Sequence, residues 1–388
     1  MPSLTLSTLS RDLYQEEHLA FGRAFEQFMA EEVAPYHAEW EQRGFVDPEL
    51  WKQAGARGFL AMDVDRQYGG PGLNDFRYHA MLIETQARMM LSGPMFSLGT
   101  DIVIPYISRY GSDEQKQRWL PRLTSGEWIS CIGMTEPQTG SDLAGIETTA
   151  EDHGDHYLVN GTKYFISNGA ISHLIVLVVK TDPAQRHRGI SLLVLERDQQ
   201  PYETVQILDK IGYLARDVTE LRFDNMRVPK ANLLGEAGQG FAYMMKQLPQ
   251  ERLTIAISNV ATAERVLDYT VEWCQERTAF GQAIGTFQNT RFKLAELATE
   301  IRIARVFVDN CIRLHVDGKL GTEEASMAKW WCSELLMKVN TTCLQFFGGR
   351  GYLVENPVAK AYRDNRVEPI YGGTNEIMKE IIGKGMGL

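Results

Sequence analysis

From Tyr14 to about Leu123 the apolar residues recur at helical spacing, with Phe21, Phe25, Phe28 and Val33 on one face and Pro35, Pro71, Pro94 and Pro105 punctuating the segments. The first third therefore reads as a helical domain. From Trp128 the texture changes to short β-rich runs at 129–134, 157–159, 174–179, 190–195 and 220–223, bounded by turn residues. These predict an antiparallel β domain. Beyond about Asn232 the long period returns in three stripes: Leu253, Ile257, Val260, Ala261 and Leu267; Leu294, Leu297, Ile301, Ala304 and Val308; Ala328, Trp331, Leu335 and Val339. Three long helices packed as a bundle are expected. The domain boundaries read as 1–125, 126–231 and 232–388, an α+β multidomain chain.

Size supports that division, because 388 residues exceed what one core of roughly 250–300 residues holds. A hydrophobic fraction of 44% with 23% charged residues marks a folded chain. The formal charge of −10, with no basic stripe, argues against a nucleic-acid partner. The longest apolar run, 174–179, is far short of a membrane span. Cys131, Cys274, Cys311, Cys332 and Cys343 are odd in number and lack CxxC spacing, as expected of buried thiols in a reducing compartment. Arg11, Asp12, Glu16 and Glu17 make neither a secretory signal nor a transit peptide, and a cytoplasmic location is expected. The eight histidines form neither HxxxH nor HExxH, so no metal site is expected, and GxSxG, GxGxxG and P-loop patterns are missing.

Four stretches carry candidate chemistry. Gly133-Met-Thr-Glu-Pro-Gln-Thr-Gly-Ser-Asp-Leu-Ala-Gly145 crowds hydroxyls and glycines after a strand, which suits a loop offering N–H and O–H donors to a ligand edge and equally suits a turn-rich connector. Lys163-Tyr-Phe-Ile-Ser-Asn-Gly169 sets an aromatic beside a serine, either to cover a planar ring or as an ordinary strand end. Near the C-terminus, Gln345-Phe-Phe-Gly-Gly-Arg-Gly-Tyr352 ends a helix and Tyr371-Gly-Gly-Thr-Asn-Glu376 opens another. Glycines there permit close approach to an anion or carbonyl, or simply cap the helices.

Glu251 is the most informative single residue. Met244, Leu248, Glu251 and Ile255 share one helical stripe, so a carboxylate sits in an apolar row where lost hydration raises its pKa toward that of a general base. Pairing with a neighbouring arginine is the alternative reading. Pro249 should kink this turn.

Together these stretches resemble the acyl-CoA dehydrogenase family over essentially the whole length. The 133–145 loop resembles the family's first signature, and Gln345-x-x-Gly-Gly-x-Gly-Tyr-x-x-Glu355-x4-Lys360-x3-Asp364 its second. The resemblance implies a helical domain, an antiparallel β-barrel and a C-terminal four-helix bundle. It also implies FAD-dependent α,β-dehydrogenation of an acyl-CoA, of medium to long chain. Ile132, Thr135, Phe165, Ile166 and Ser167 are then expected at the flavin ring, with Ser141 near both flavin and CoA. Arg277, Phe280, Gln288, Gln345, Gly348 and Gly349 are expected at the pyrophosphate and adenine end of FAD, across a subunit contact. Thr374, Asn375 and Glu376 complete the cofactor site, and Arg252, Tyr371 and Gly373 face substrate. Thr139 departs from the small residue usual at its place.

A second departure concerns mechanism. Many members carry the catalytic glutamate directly after the tyrosine of Tyr-Glu-Gly-Thr, where this chain has Gly372. Leu248-Pro-Gln-Glu-Arg-Leu253 resembles the long-chain type, which carries the base on the helix. Glu251 is thereby implied as the α-proton base, the flavin N5 as hydride acceptor, and a backbone N–H near Gly372 as donor to the thioester oxygen. An electron-transferring flavoprotein is the implied acceptor and a homotetramer the implied assembly. A branched-chain (isovaleryl-like or terpenoid) acyl-CoA dehydrogenase and a catalytically silent flavoprotein scaffold are the alternatives.

Overall fold

The computed structural model describes residues 11–388, and in it the face expected from Phe25, Phe28 and Val33 is buried against Trp40, Trp51 and Phe59. Six helices build this first section: α1 (Glu16–Phe28), α2 (His37–Arg43), α3 (Glu49–Ala56), α4 (Phe76–Met89), α5 (Ile104–Tyr110) and α6 (Asp113–Thr124). The start of α6 is fixed by a reciprocal capping box, Ser112 accepting from the Gln115 amide while the Gln115 side chain accepts from the Ser112 amide.

The middle section contains β1 (Ser130–Gly133), β2 (Thr149–Asp152), β3 (His156–Ser167), β4 (Leu174–Lys180), β5 (Ile190–Glu196), β6 (Glu203–Ile207), β7 (Val218–Pro229) and β8 (Leu233–Leu234). Their order is β6-β7-β3-β2-β4-β5-β8, with β1 beside β4. Two expectations are corrected here. The sheet does not close into a barrel, and it is not wholly antiparallel, because β1 pairs β4 in parallel from Ser130↔Leu174 to Gly133↔Leu177. A parallel pair needs a long connection, and the excursion through β2 and β3 supplies it. One edge is β6, whose Glu203 and Gln206 point to solvent.

The apolar runs of β4 and β5 are continuous because both faces are covered. Leu174, Val176, Val178, Leu192 and Val194 pack toward the helices, while Ile175, Leu177, Val179, Leu193 and Leu195 pack inside the sheet against Tyr157 and Phe223.

The last section holds α7 (Gly240–Glu276), a short hairpin β9 (Thr278–Ala279) and β10 (Gln282–Ala283), then α8 (Gln288–Val316), α9 (Thr322–Phe346), α10 (Pro357–Asp364) and α11 (Asn375–Gly385). Leu253, Ile257, Val260, Leu297, Ile301, Val308, Leu335 and Val339 form its core, which also takes in Ala80 and Ile83 of α4. Trp331 is a correction to its stripe: it is 42% exposed, and the inward positions of α9 are Ala325, Ala328, Cys332 and Leu335. α7 runs through Pro249 as one 37-residue helix. The five cysteines are buried and free.

A buried ionic network ties the first helices to the bundle. Arg305 of α8 donates to Glu264 of α7 at 2.8 Å and to Glu84 of α4 at 3.0 Å, while Arg11 bridges Glu84 and Asp309. Among the described residues no helix is long and apolar enough to cross a membrane.

Candidate active site

Glu251 lies two residues after Pro249, on the side of α7 that faces α5. Its stripe is buried: Met244 at 0%, Leu248 at 9%, Glu251 at 7% and Ile255 at 7% exposure. One group donates to its carboxylate among the described residues, the Tyr106 hydroxyl on α5, 3.0 Å from Oε1. The neighbouring Arg252 does not pair with it and instead reaches Ser326 Oγ at 3.2 Å. Burial pushes the Glu251 carboxyl up to about 7, against the opposing Tyr106 hydrogen bond and the Arg252 charge. A carboxylate so poised takes up protons near neutrality.

The loop opening α11 meets α7 one helical turn from Glu251. Gly372 has φ +66°, and a Cβ there would lie 2.3 Å from Ile255 Cδ1, so a side chain at this position meets left-handed strain and must displace the Ile255 methyl. At Gly373, φ +89°, a Cβ would meet Met378 Cε at 2.6 Å. The loop is held from behind. Lys329 of α9 donates to the Gly373 carbonyl at 2.8 Å and to Asn375 Oδ1 at 3.1 Å, and Ser333 adds a bond to Oδ1 at 3.0 Å. Tyr371 and Tyr213 both donate to the buried Glu368, at 2.9 and 2.6 Å. Thr374 Oγ1 caps α11 by accepting from the Ile377 amide, whereas the Glu376 side chain is exposed.

A second group forms where β1 runs into its loop. Buried Lys163 donates to Glu136 Oε1 at 2.7 Å, and Glu136 also accepts from the amides of Glu147 and Thr148 at 2.6 and 3.0 Å, which fixes the loop to β3. Tyr164 N–H donates to the Thr135 carbonyl at 2.8 Å, bringing Thr135 beside the end of β3 that carries Phe165 and Ser167. Phe165 is 62% exposed in a left-handed conformation, φ +59°. Ile132 is half-buried in β1, and Ser141 is exposed. The Ile166 side chain turns inward to the sheet core, so only its backbone faces the Phe165 side. Thr139 is buried, and its hydroxyl donates to the Asp142 carbonyl at 2.6 Å, so the departure at this position serves the loop's own closure.

A third group gathers at the far end of α7. Arg277 and Arg350 both lie over the Trp273 ring, 6.0 and 5.5 Å from its centre, so the segments after α7 and α9 converge there. Phe280 at the β9–β10 turn is 94% exposed with φ +50°, and Gln288, Gln345, Gly348 and Gly349 face solvent. No hydrogen bond or ion pair among the described residues joins this group to the Thr135–Ser167 group.

Several residues here escaped the sequence reading: Tyr106, Lys329, Glu368, Tyr213, Lys163 and Glu136. Lys329 had a signal, a lysine on the inward stripe of α9 beside Ala325 and Cys332. Tyr106, Tyr213 and Glu368 are brought in by contacts between sections, and Lys163 and Glu136 by their pairing within the middle section.

A helix–sheet–helix chain with an underpaired buried glutamate facing a glycine loop is built as an enzyme. The chain belongs to the acyl-CoA dehydrogenase family: its N-terminal, middle and C-terminal domain models match residues 15–127, 131–226 and 238–387. It is 44% identical over 376 residues to the mitochondrial long-chain specific acyl-CoA dehydrogenase of Sus scrofa, covering 96% of this chain and 87% of that one. The mitochondrial isovaleryl-CoA dehydrogenase of Oryza sativa subsp. japonica is 32% identical, with 97% and 93% covered. A crystal structure of acyl-CoA dehydrogenase from Geobacillus kaustophilus superposes with a TM-score of 0.95 at 46% identity, covering 98% of this chain and all of that one.

The protein is therefore an oxidoreductase of a family of FAD flavoproteins that dehydrogenate acyl-CoAs in β-oxidation. The residues present fit such a group: an exposed Phe165 ring, with Thr135 held beside its strand by the Tyr164 N–H and Ser167 two positions further along β3, suits a planar ring.

Proposed function

We propose that the protein dehydrogenates medium- to long-chain acyl-CoA thioesters to trans-2-enoyl-CoAs, with Glu251 as the α-proton base. The observation that carries this reading is a carboxylate 7% exposed, bonded by one neutral phenol and raised to about 7, one helical turn from the Gly372 loop. Glu251 removes the α-proton, and the Gly372 N–H donates to the thioester oxygen as charge builds there. FAD, when bound, supplies the acceptor for the β-hydride. Ile132, Thr135, Phe165 and Ser167, with the Ile166 backbone, would hold its ring. Ser141 would lie between ring and CoA, and Arg252, Tyr371 and Gly373 would face substrate.

Arg277, Phe280, Gln288, Gln345, Gly348 and Gly349 would hold the adenine end of a cofactor shared between subunits. Their solvent-facing placement supports that assignment, and Thr374 to Glu376 would complete the site. A homotetramer is supported by the exposed apolar row Phe292, Ile303 and Val306 on α8 with Met327 and Trp331 on α9. An electron-transferring flavoprotein would reoxidise the cofactor. Five buried free thiols support a reducing compartment, read as the cytoplasm.

Similarity to an isovaleryl-CoA dehydrogenase keeps a branched-chain substrate as the second reading. Anaerobic titration of the purified holoenzyme with straight and branched acyl-CoAs separates the two. Bleaching of the flavin by C8 to C16 straight chains is expected. Bleaching by isovaleryl-CoA alone would replace the chain-length reading, and no bleaching by any acyl-CoA would overturn the activity.

A further inference from the structure

Helix α5 crosses α7 antiparallel, and three consecutive contacts run along the crossing. The Tyr110 ring stacks on Tyr243 with centres 3.9 Å apart, Arg109 reaches the side-chain oxygens of Gln247 and Gln250, and the Tyr106 hydroxyl donates to Glu251 at 3.0 Å. Gln250 in turn donates to the Asp101 carbonyl at 2.8 Å, which anchors the same turn to the segment leading into α5. These contacts bracket Pro249, the position at which α7 lacks an N–H to hold its own geometry. The two helices belong to different sections of the chain, so the orientation of Glu251 is set from outside its own helix.

Resting on the reading of Glu251 as base, we infer that Tyr106 is a positioning residue for the α-proton abstraction. Its hydroxyl holds Glu251 Oε1 and leaves Oε2, which accepts from no described group, as the oxygen directed at substrate. The phenol is suited to this task because it is fully buried, cannot move without disturbing α5, and has a pKa driven well above its ordinary value by burial and by the Glu251 charge. It therefore donates in every state of the cycle and does not compete for the proton. The hydrogen bond favours the ionised carboxylate, so the tyrosine also holds Glu251 below the value that burial alone would impose.

The groups facing Glu251 limit what else produces a pH effect. They are Tyr106 on α5, Arg252 on α7 itself and the uncharged Gly372 loop; Arg109 faces Gln247 and Gln250 instead.

The test is the pH dependence of single-turnover flavin reduction in the holoenzyme, comparing wild type with Tyr106→Phe. The phenylalanine variant keeps the ring in its pocket. Its acidic limb should move upward by about one to two pH units, the amount a hydrogen bond to a charged group is worth, with roughly 10-fold or greater loss below neutrality and recovery toward high pH. 3-Fluorotyrosine at position 106, a stronger donor of the same shape, should move the limb the other way, and this holds even if the phenylalanine variant loses FAD. A limb that stays in place in both proteins overturns the role of Tyr106. If Glu251→Gln is also inactive, Glu251 nonetheless remains the base; only an active Glu251→Gln removes the reading on which the inference rests.

Discussion

Glu84 and Glu251 are both buried glutamates on helices that join the first section to the bundle, and they have opposite environments. Glu84 accepts from Arg11, Arg305 and Tyr14 within 3.0 Å, and the surrounding guanidinium groups hold its carboxyl well below the usual range despite complete burial. Glu251 is also buried, with a single neutral donor, and its carboxyl rises to about 7. Burial alone does not decide where a carboxyl titrates; whether a charge is paired with it does. The first arrangement ties the first section to the bundle, while the second leaves a buried carboxyl without an ion-pair partner, at a cost in stability once it ionises.

The largest change expected is in the Glu84 network. Arg305→Met removes the donor shared by Glu84 and Glu264 and should cost about 3–5 kcal/mol of unfolding free energy in urea, because two carboxylates are left buried without it. The Glu251 limb of the pH profile should not move in the protein that remains folded. A loss under 1 kcal/mol would mean that the network contributes little to stability.

Next comes the cost of Glu251 itself. Its folded value of about 7 stands above the ordinary 4.5, so the folded state binds a proton more tightly than the unfolded state does. Stability is therefore lost as pH rises from about 4.5 through 7, by roughly 3 kcal/mol in total. Glu251→Gln should be more stable than wild type by about that amount at pH 8 and equal to it near pH 4. Equal stability of the two proteins across that range would contradict the unpaired environment.

A smaller effect concerns the alternative site for a base. Exchange of positions, Glu251→Gly with Gly372→Glu, places a side chain at φ +66° against Ile255 Cδ1. Left-handed strain of about 1–2 kcal/mol and the clash should leave little activity. Adding Ile255→Val deletes the clashing methyl group and should recover measurable flavin reduction with altered chain-length preference. No gain from Ile255→Val would place the obstruction elsewhere.

The order of helices, sheet and long helices was legible because the strongest periodic signals, 174–179, 190–195 and the α7 to α9 stripes, are also the most buried segments. β2 and β6 were not, since Thr-Ala-Glu-Asp and Glu-Thr-Val-Gln-Ile carry polar side chains and take their strand form from partners rather than from propensity. The parallel β1–β4 pair is not legible either, because pairing across that distance is a choice no local pattern encodes. An aromatic at helical spacing fits an inward or an outward face equally well, and Trp331 takes the outward one.

At the site, Glu251 was legible as a charge interrupting an apolar stripe. Its partner was not. Tyr106 stands in the run Ile104-Pro-Tyr-Ile107 as one more apolar residue, and only the crossing of α5 over α7 makes it a hydrogen-bond donor.

The most direct measurement is anaerobic stopped-flow reduction of the bound flavin by an acyl-CoA substrate, in wild type and in Glu251→Gln, at pH 8. Glutamine keeps the shape and the Tyr106 hydrogen bond but accepts no proton, so FAD content and acyl-CoA binding should be retained while reduction slows by about three orders of magnitude or more. Reduction of Glu251→Gln at the wild-type rate would contradict the assignment and turn attention to Glu376.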